Sequence, residues 1–167
     1  QEGQTLELWA FTFRNEEKNG ARQYGQGNFG DWRFLTDPID YTTRQVDAVV
    51  SYAGERLQLT GGYYGTDFTN RNVALTVNNS SSGLSPMGLP PGNQSHQLLL
   101  TGGYNFPATT RGTFNVAYAT QTQTDAFPVP PTTVNRGNLD GRVDTKQLQL
   151  GLASRPVAKL SLLANFR

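Results

Sequence analysis

The chain contains no cysteine among its 167 residues. That excludes a disulfide framework, a thiolate metal site and covalent c-type haem attachment. Histidine occurs once, at His96, so a Ser/His catalytic pair has one place to form, and the neighbours Ser95 and Gln97 lend it no support. No window offers the roughly 18 consecutive apolar residues that a membrane-spanning helix needs. No charged and apolar leader opens the chain, so any signal peptide is expected to have been removed or to lie outside it. Charge is sparse and balanced: 14 Lys and Arg against 13 Asp and Glu leave a net +1, which does not argue for nucleic acid. The clustered acids fit no metal loop. Asp140, Asp144 and Asn138 lack EF-hand spacing, and Asp37, Asp40 and Asp67 read as solvated strand ends.

What the chain does have is alternation. Residues 57–68 (LQLTGGYYGTDF) and 98–121 (LLLTGGYNFPATTRGTFNVAYATQ) both carry Leu-Thr-Gly-Gly-Tyr and both alternate with period two. A strand with one apolar face and one small or polar face separates two media. The same pattern predicts strands over 5–14, 40–53, 57–68, 94–106, 111–122, 142–154 and 159–167. Short turns are expected at 53–56, 107–110 and 155–158, and long polar loops at 15–39, 78–93 and 125–141. Val73, Leu75 and Val77 continue the alternation past residue 68, as if that strand projected further. In the first strand Leu6, Leu8 and Ala10 form one row and Trp9, Phe11 and Phe13 the other, and the facing stays open, because a one-residue slip exchanges the two.

Short turns alternating with long loops are the form of a transmembrane β-barrel, and a barrel strand shows lipid only at every second residue. The negative mean hydropathy, −0.51, is therefore compatible with a membrane wall. The fold class expected is all-β: an antiparallel up-and-down transmembrane β-barrel with short periplasmic turns and long outer loops. Seven strands leave an open edge, which is not viable in lipid, so residues 1–167 are expected to be one segment of a larger barrel. The competing reading is a soluble β-sandwich. Against it, the faces opposite the apolar rows carry Thr, Gln, Gly and Asn with almost no charge, where solvent-facing strands usually carry Lys and Glu.

The alternation assigns each strand a lipid side. It comprises Val46, Val50, Tyr52, Leu57, Leu59, Tyr63, Leu98, Leu100, Tyr104, Phe114, Val116, Tyr118, Leu148, Leu150, Leu152, Leu160, Leu162 and Phe166. The lumen side comprises Thr60, Gly62, Thr101, Gly103, Asn105, Thr113, Asn115, Ala117, Gln147, Gln149 and Gly151. Tyr52, Tyr63, Tyr104, Tyr118 and Phe166 are candidates for interfacial aromatic girdles. Arg56, Arg111, Arg155 and Lys159 gather at the short turns, where they can meet lipid headgroups, a periplasmic partner or only solvent.

Three blocks, 40–70 (DYTTRQVDAVVSYAGERLQLTGGYYGTDFTN), 93–127 (NQSHQLLLTGGYNFPATTRGTFNVAYATQTQTDAF) and 139–167 (LDGRVDTKQLQLGLASRPVAKLSLLANFR), in this order and spacing, resemble the MtrB/PioB family of outer-membrane barrels. The resemblance covers most of residues 38–167 and is weaker before them. It implies a large porin that sheathes a periplasmic multihaem c-type cytochrome, through which electrons cross the outer membrane between periplasmic donors and extracellular acceptors such as metal oxides or Fe(II). An extracellular multihaem cytochrome at the outer loops is a second partner it implies, beside outer-membrane lipid. The cysteine pair that some members carry is absent, so no thiol chemistry carries over. Haem would belong to the partner, and this chain is expected to bind no cofactor: it has no Cys-x-x-Cys-His, and His96 and Met87 are too few for the axial positions of several haems. On this reading the lumen set faces the cytochrome, and the role is structural rather than enzymatic. The alternatives are a passive diffusion porin and a soluble β-rich binding module.

Overall fold

The computed structural model describes residues 5–28, 31–79, 83–107, 109–128, 136–157 and 159–167. The strands, in chain order, are β1 (Thr5–Asn28), β2 (Asp31–Ala53), β3 (Leu57–Asn70), β4 (Ala74–Asn79), β5 (Gly83–Gly88), β6 (Asn93–Phe106), β7 (Thr110–Gln123), β8 (Gly141–Val157) and β9 (Leu160–Phe166). Seven of them form one antiparallel sheet in the order β1-β2-β3-β6-β7-β8-β9, and β4 and β5 form a separate hairpin. Neighbours in the large sheet are neighbours in the chain except where that hairpin is inserted, so the topology is a meander. It runs open from β1 to β9.

The seven expected strands are the seven of the large sheet. Three expectations change. Within the expected loop 15–39, residues 15–28 and 31–39 are paired strand, from Asn15↔Arg44 to Asn28↔Asp31, a long hairpin beyond the apolar rows, and residues 29–30 lie outside the described set. Residues 15–23 in β1 are almost all polar, so period two carries no signal there, yet the backbone ladder propagates from the pairs below. Asp37 is fully buried in it, and its Oδ2 accepts from Arg22 Nε at 2.6 Å. Second, Val73, Leu75 and Val77 do not prolong β3. The chain bends after Asn70, whose buried amide donates to Pro90 O at 3.0 Å while its Oδ1 accepts from Asn72 N at 3.0 Å. Third, part of 78–93 is the β4–β5 hairpin; residues 80–82 lie outside the described set.

The open facing of the first strand resolves into both rows. Leu6 pairs with Tyr52 and Leu8 with Val50, but Ala10 pairs with Val49 and Phe11 with Ala48. Trp9 is the extra residue of a β-bulge, so the positions of Leu6 and Leu8 share a sheet face with Phe11 and Phe13.

The short turns come as expected, with Ala108 and Ala158 outside the described residues. Gly54 N donates to Leu57 O at 2.8 Å to close the first. The other two are tied together: Thr109 Oγ1 donates to Arg155 O at 2.6 Å, and Arg155 N to Thr109 O at 3.3 Å. A conventional core is nearly missing. Among the described residues Leu89 is the one buried hydrophobic side chain, and the large apolar residues of the sheet are half-buried or exposed.

Candidate functional site

Because directly paired residues in an antiparallel ladder share a face, the register divides the sheet into two sides. One row runs Tyr52, Leu59, Gly102, Phe114, Leu150, Phe166. The next runs Val50, Gly61, Leu100, Val116, Leu148, and a third runs Ala48, Tyr63, Leu98, Tyr118, Lys146. Leu57, Tyr104 and Leu152 flank them on the side of the short turns, and Val46 on the other. Leu162 joins this side through Ser154, and Leu160 by alternation. All the residues read as lipid-facing therefore lie on one face.

That face is apolar and open. Leu98 is 56 % exposed, Leu100 45 % and Phe166 62 %, far more than core residues would be. Aromatics stand at two levels. Tyr104 meets Phe106 edge-on at 4.7 Å near the short turns. At the far level Tyr63 Oη lies 2.8 Å from His96 Nδ1, and Tyr118 Oη donates to Asp144 Oδ1 at 3.1 Å. The two levels are six residues apart on β6, from Leu98 (opposite Tyr63) to Tyr104, or about 20 Å along the strand. Beyond the far level the same side becomes charged: Arg44 lies 3.9 Å from Asp67, and Arg142 Nε 2.9 Å from Asp144.

The opposite face holds the lumen set. Its rows run Ser51, Thr60, Thr101, Asn115, Gln149; then Gln58, Gly103, Thr113, Gly151, Asn165; then Val49, Gly62, Leu99, Ala117, Gln147; with Asn105 opposite Arg111 nearest the short turns. Thr101, Asn115, Gln147 and Gln149 are half-buried where Leu98, Leu100, Leu148 and Leu150 beside them are exposed. A concavity of about 660 Å³ opens over these rows, bordered by Gln58, Thr60, Arg111, Asn115, Gln149 and Asn165. Ser51 and Thr60 share a hydrogen bond of 3.1 Å, and Arg111 Nη2 donates to Gln58 Oε1 at 3.0 Å. Tyr64, Leu99 and Arg111 belong to this side and were absent from the sequence-derived set. Their parity with Gly62, Thr101 and Thr113 was the available signal.

The glycines on this face are not gaps. A Cβ at Gly62 would meet the Tyr64 ring at 2.9 Å, at Gly103 the Arg111 guanidinium at 3.2 Å, and at Gly151 the Thr113 hydroxyl at 2.5 Å. Each seats a neighbouring side chain. On the apolar face Phe114 and Leu59 crowd Gly102 in the same way, and Tyr63 covers Gly65. Aromatic cover of a strand glycine restores the packing that the missing side chain forfeits.

The sheet thus has one apolar, open face with aromatics at two levels and one polar, half-buried face. The sequence model of the outer-membrane β-barrel porins of the MtrB/PioB type matches residues 4–167. The chain belongs to the MtrB/PioB family. It is also 27 % identical, over 177 aligned residues and 99 % of its length, to the outer membrane protein MtrB of Shewanella baltica strain OS185. It spans about a quarter of that relative's length. The MtrB/PioB match includes β1 and the long β1–β2 hairpin, where the resemblance read from the three blocks was weakest. Membership makes the protein an outer-membrane β-barrel of porin type, and the seven-stranded meander is its wall architecture. Among the described residues no group of three or more His, Asp and Glu is arranged to hold a metal ion.

Proposed function

We propose that this segment is part of a barrel wall that encloses and insulates a periplasmic multihaem c-type cytochrome, so that electrons cross the outer membrane through the partner. The apolar face meets lipid and the polar face meets the enclosed protein. The observation that carries this is the chemistry of the polar face. Its rows are short or uncharged hydrogen-bonding residues (Thr60, Thr101, Thr113, Asn115, Gln147, Gln149) set on seated glycines. Such a surface is smooth, and wet interfaces are made with side chains of this type.

The chain's part is positional rather than enzymatic, and haem belongs to the partner. His96 does not fit as a lumen ligand: it stands on the apolar face, with Nδ1 2.8 Å from Tyr63 Oη. Met87 is in the β4–β5 hairpin, away from the wall. The long β1–β2 hairpin and the β4–β5 hairpin lie on the long-loop side and offer a landing surface for an extracellular multihaem cytochrome. Nucleic acid has no place in this reading.

One observation favours a second reading. Arg111 puts a charged side chain into the inner concavity, and diffusion porins line their constrictions with charge. The full-length barrel, purified under its own promoter with its partners present, decides. Co-purification of a haem-staining protein, with low conductance of the complex in planar bilayers, is expected. A haem-free barrel that conducts ions freely would establish the porin instead.

A further inference from the structure

The two ends of the wall differ in how their charges are handled. At the long-loop end most of the described cations pair with acids: Arg14 and Lys18 with Glu16, Arg22 with Asp37, Arg44 with Asp67, Arg71 with Asp40, Arg142 with Asp144, while Arg136 and Lys146 do not. At the short-turn end Arg56, Arg111, Arg155 and Lys159 stand at the turns, where Glu55 is the one carboxylate among the turn residues, and Glu7 lies further along β1 opposite Ser51. Among the described residues none of these four cations is ion-paired.

The two arginines on strands stand on the inner side. Arg111 is opposite Asn105 and two residues from Thr113. Its guanidinium is held over Gly103 by Gln58 Oε1 at 3.0 Å and borders the concavity. Arg155 Nε donates to Ser161 Oγ at 3.1 Å, and Ser161 alternates with Leu160 and Leu162, which places it on the polar face. Both guanidiniums are thus positioned by neutral acceptors. A guanidinium has five N–H donors, so most remain for an incoming anion, and it matches a carboxylate in two-point geometry. Lipid headgroups would meet the other side of the wall, where the row at this level is Phe106, Thr110, Ser154 and Leu162 and carries no cation.

We propose that Arg111 and Arg155 form an anion-binding mouth at the short-turn end of the lumen, which receives carboxylates of the enclosed protein. This deepens the sheath reading by naming the charge of the partner surface, and it rests on that reading for the identity of the partner. Short turns are periplasmic in such barrels, so the mouth is the first inner surface that a periplasmic protein meets. Complementary charge there speeds encounter and fixes register, and its signature is salt dependence.

The test uses the full-length barrel in detergent, with Arg111→Gln/Arg155→Gln and Arg111→Lys/Arg155→Lys variants. The first probe is a fluorescent hexaglutamate peptide followed by anisotropy at low salt. We expect it to bind the wild type, to bind the glutamine variant about fivefold more weakly, as screened charge contacts allow, and to be largely restored by lysine. The second readout is the NaCl concentration that releases the co-purified cytochrome, which should fall in the glutamine variant. Equal peptide affinity in wild type and glutamine variant overturns the mouth, whatever the cytochrome does. So does a glutamine variant that loses affinity only for phosphatidylglycerol vesicles, which would make these arginines headgroup contacts. A wild type that binds the peptide yet carries no cytochrome leaves the anion site standing and overturns the sheath reading.

Discussion

Thr60 lies directly opposite Thr101. The two copies of Leu-Thr-Gly-Gly-Tyr therefore pair with each other, antiparallel, about the point between these threonines. Leu59 falls opposite Gly102, and Gly61 opposite Leu100. Each leucine sits across from the partner's first glycine, while Leu57↔Tyr104 and Tyr63↔Leu98 extend the exchange. The repeat is a pair of complementary surfaces, large against small, and this holds β3 and β6 in register across the inserted hairpin.

The pairing is symmetric but its packing is not. A Cβ at Gly102 would lie 2.6 Å from the Phe114 ring and 2.7 Å from Leu59, whereas nothing lies within 4 Å of one at Gly61. Gly61→Ala should leave the barrel as stable or slightly more stable, and Gly102→Val should cost about 1–3 kcal/mol through overpacking. Urea unfolding of the full-length barrel in liposomes checks this, and equal effects at the two sites would refute it.

Face assignment is open to a charge test. Leu100→Arg or Val116→Arg should destabilise by about 2–4 kcal/mol if those positions sit at mid-bilayer. Thr101→Arg, one residue from Leu100, should fold almost normally and, on the proposed sheath role, lose cytochrome co-purification. The measurement is the heat-modifiable fraction on gels beside haem stain. If Thr101→Arg unfolds the barrel as readily as Leu100→Arg, the faces are misassigned.

Tyr63 has two roles that separate by substitution. Its hydroxyl meets His96 and its ring covers Gly65. Tyr63→Phe removes only the exposed hydrogen bond, and about 0.5 kcal/mol or less is expected. Tyr63→Ala uncovers Gly65 as well and should cost clearly more. Similar losses for both would mean the hydroxyl, not the ring, carries the stabilisation.

In the long hairpin Asp37 is fully buried against Arg22. Asp37→Ala should loosen the hairpin by about 1–3 kcal/mol, the scale of a lost charged hydrogen bond. It should leave the wall intact, because the contact lies outside the paired apolar rows. Limited proteolysis of intact cells should then cut within 15–39 faster, with unchanged barrel yield.

Glu16 titrates below the usual value of 4.5, held there by a hydrogen bond and charge from Lys18, then by the charge of Arg14. A depressed carboxylate stabilises above the unfolded value and loses that contribution as pH falls through its lowered folded value. The hairpin should therefore be insensitive above pH about 5 and weaken only below the ordinary range. Lys18→Met should return the Glu16 titration toward 4.5 by carbon-detected NMR; an unmoved titration would assign the effect elsewhere.

The faces of β2, β3 and β6 to β9 were legible because alternation is local: Val46, Val50 and Tyr52 point one way whatever they pair with. The turns were legible for the same reason, from Gly54, Pro107 and Pro156. Arg111 was legible in facing, by its parity with Thr113, but not in setting, since its contact with Gln58 spans 53 residues.

By itself the sequence determined a meander of two-faced strands, short turns on one edge and long loops on the other, because each follows from a few consecutive residues. Tertiary structure alone decided the facing of β1, where the bulge at Trp9 puts the positions of Leu6 and Leu8 on the same side as Phe11 and Phe13 and that of Ala10 on the other. It decided that 15–28 and 31–39 form a ladder rather than a loop, and that Gly61 is open where Gly102 is filled. Register and side-chain cover are set by a partner strand distant in the chain, and a local pattern holds no record of which residue will stand opposite.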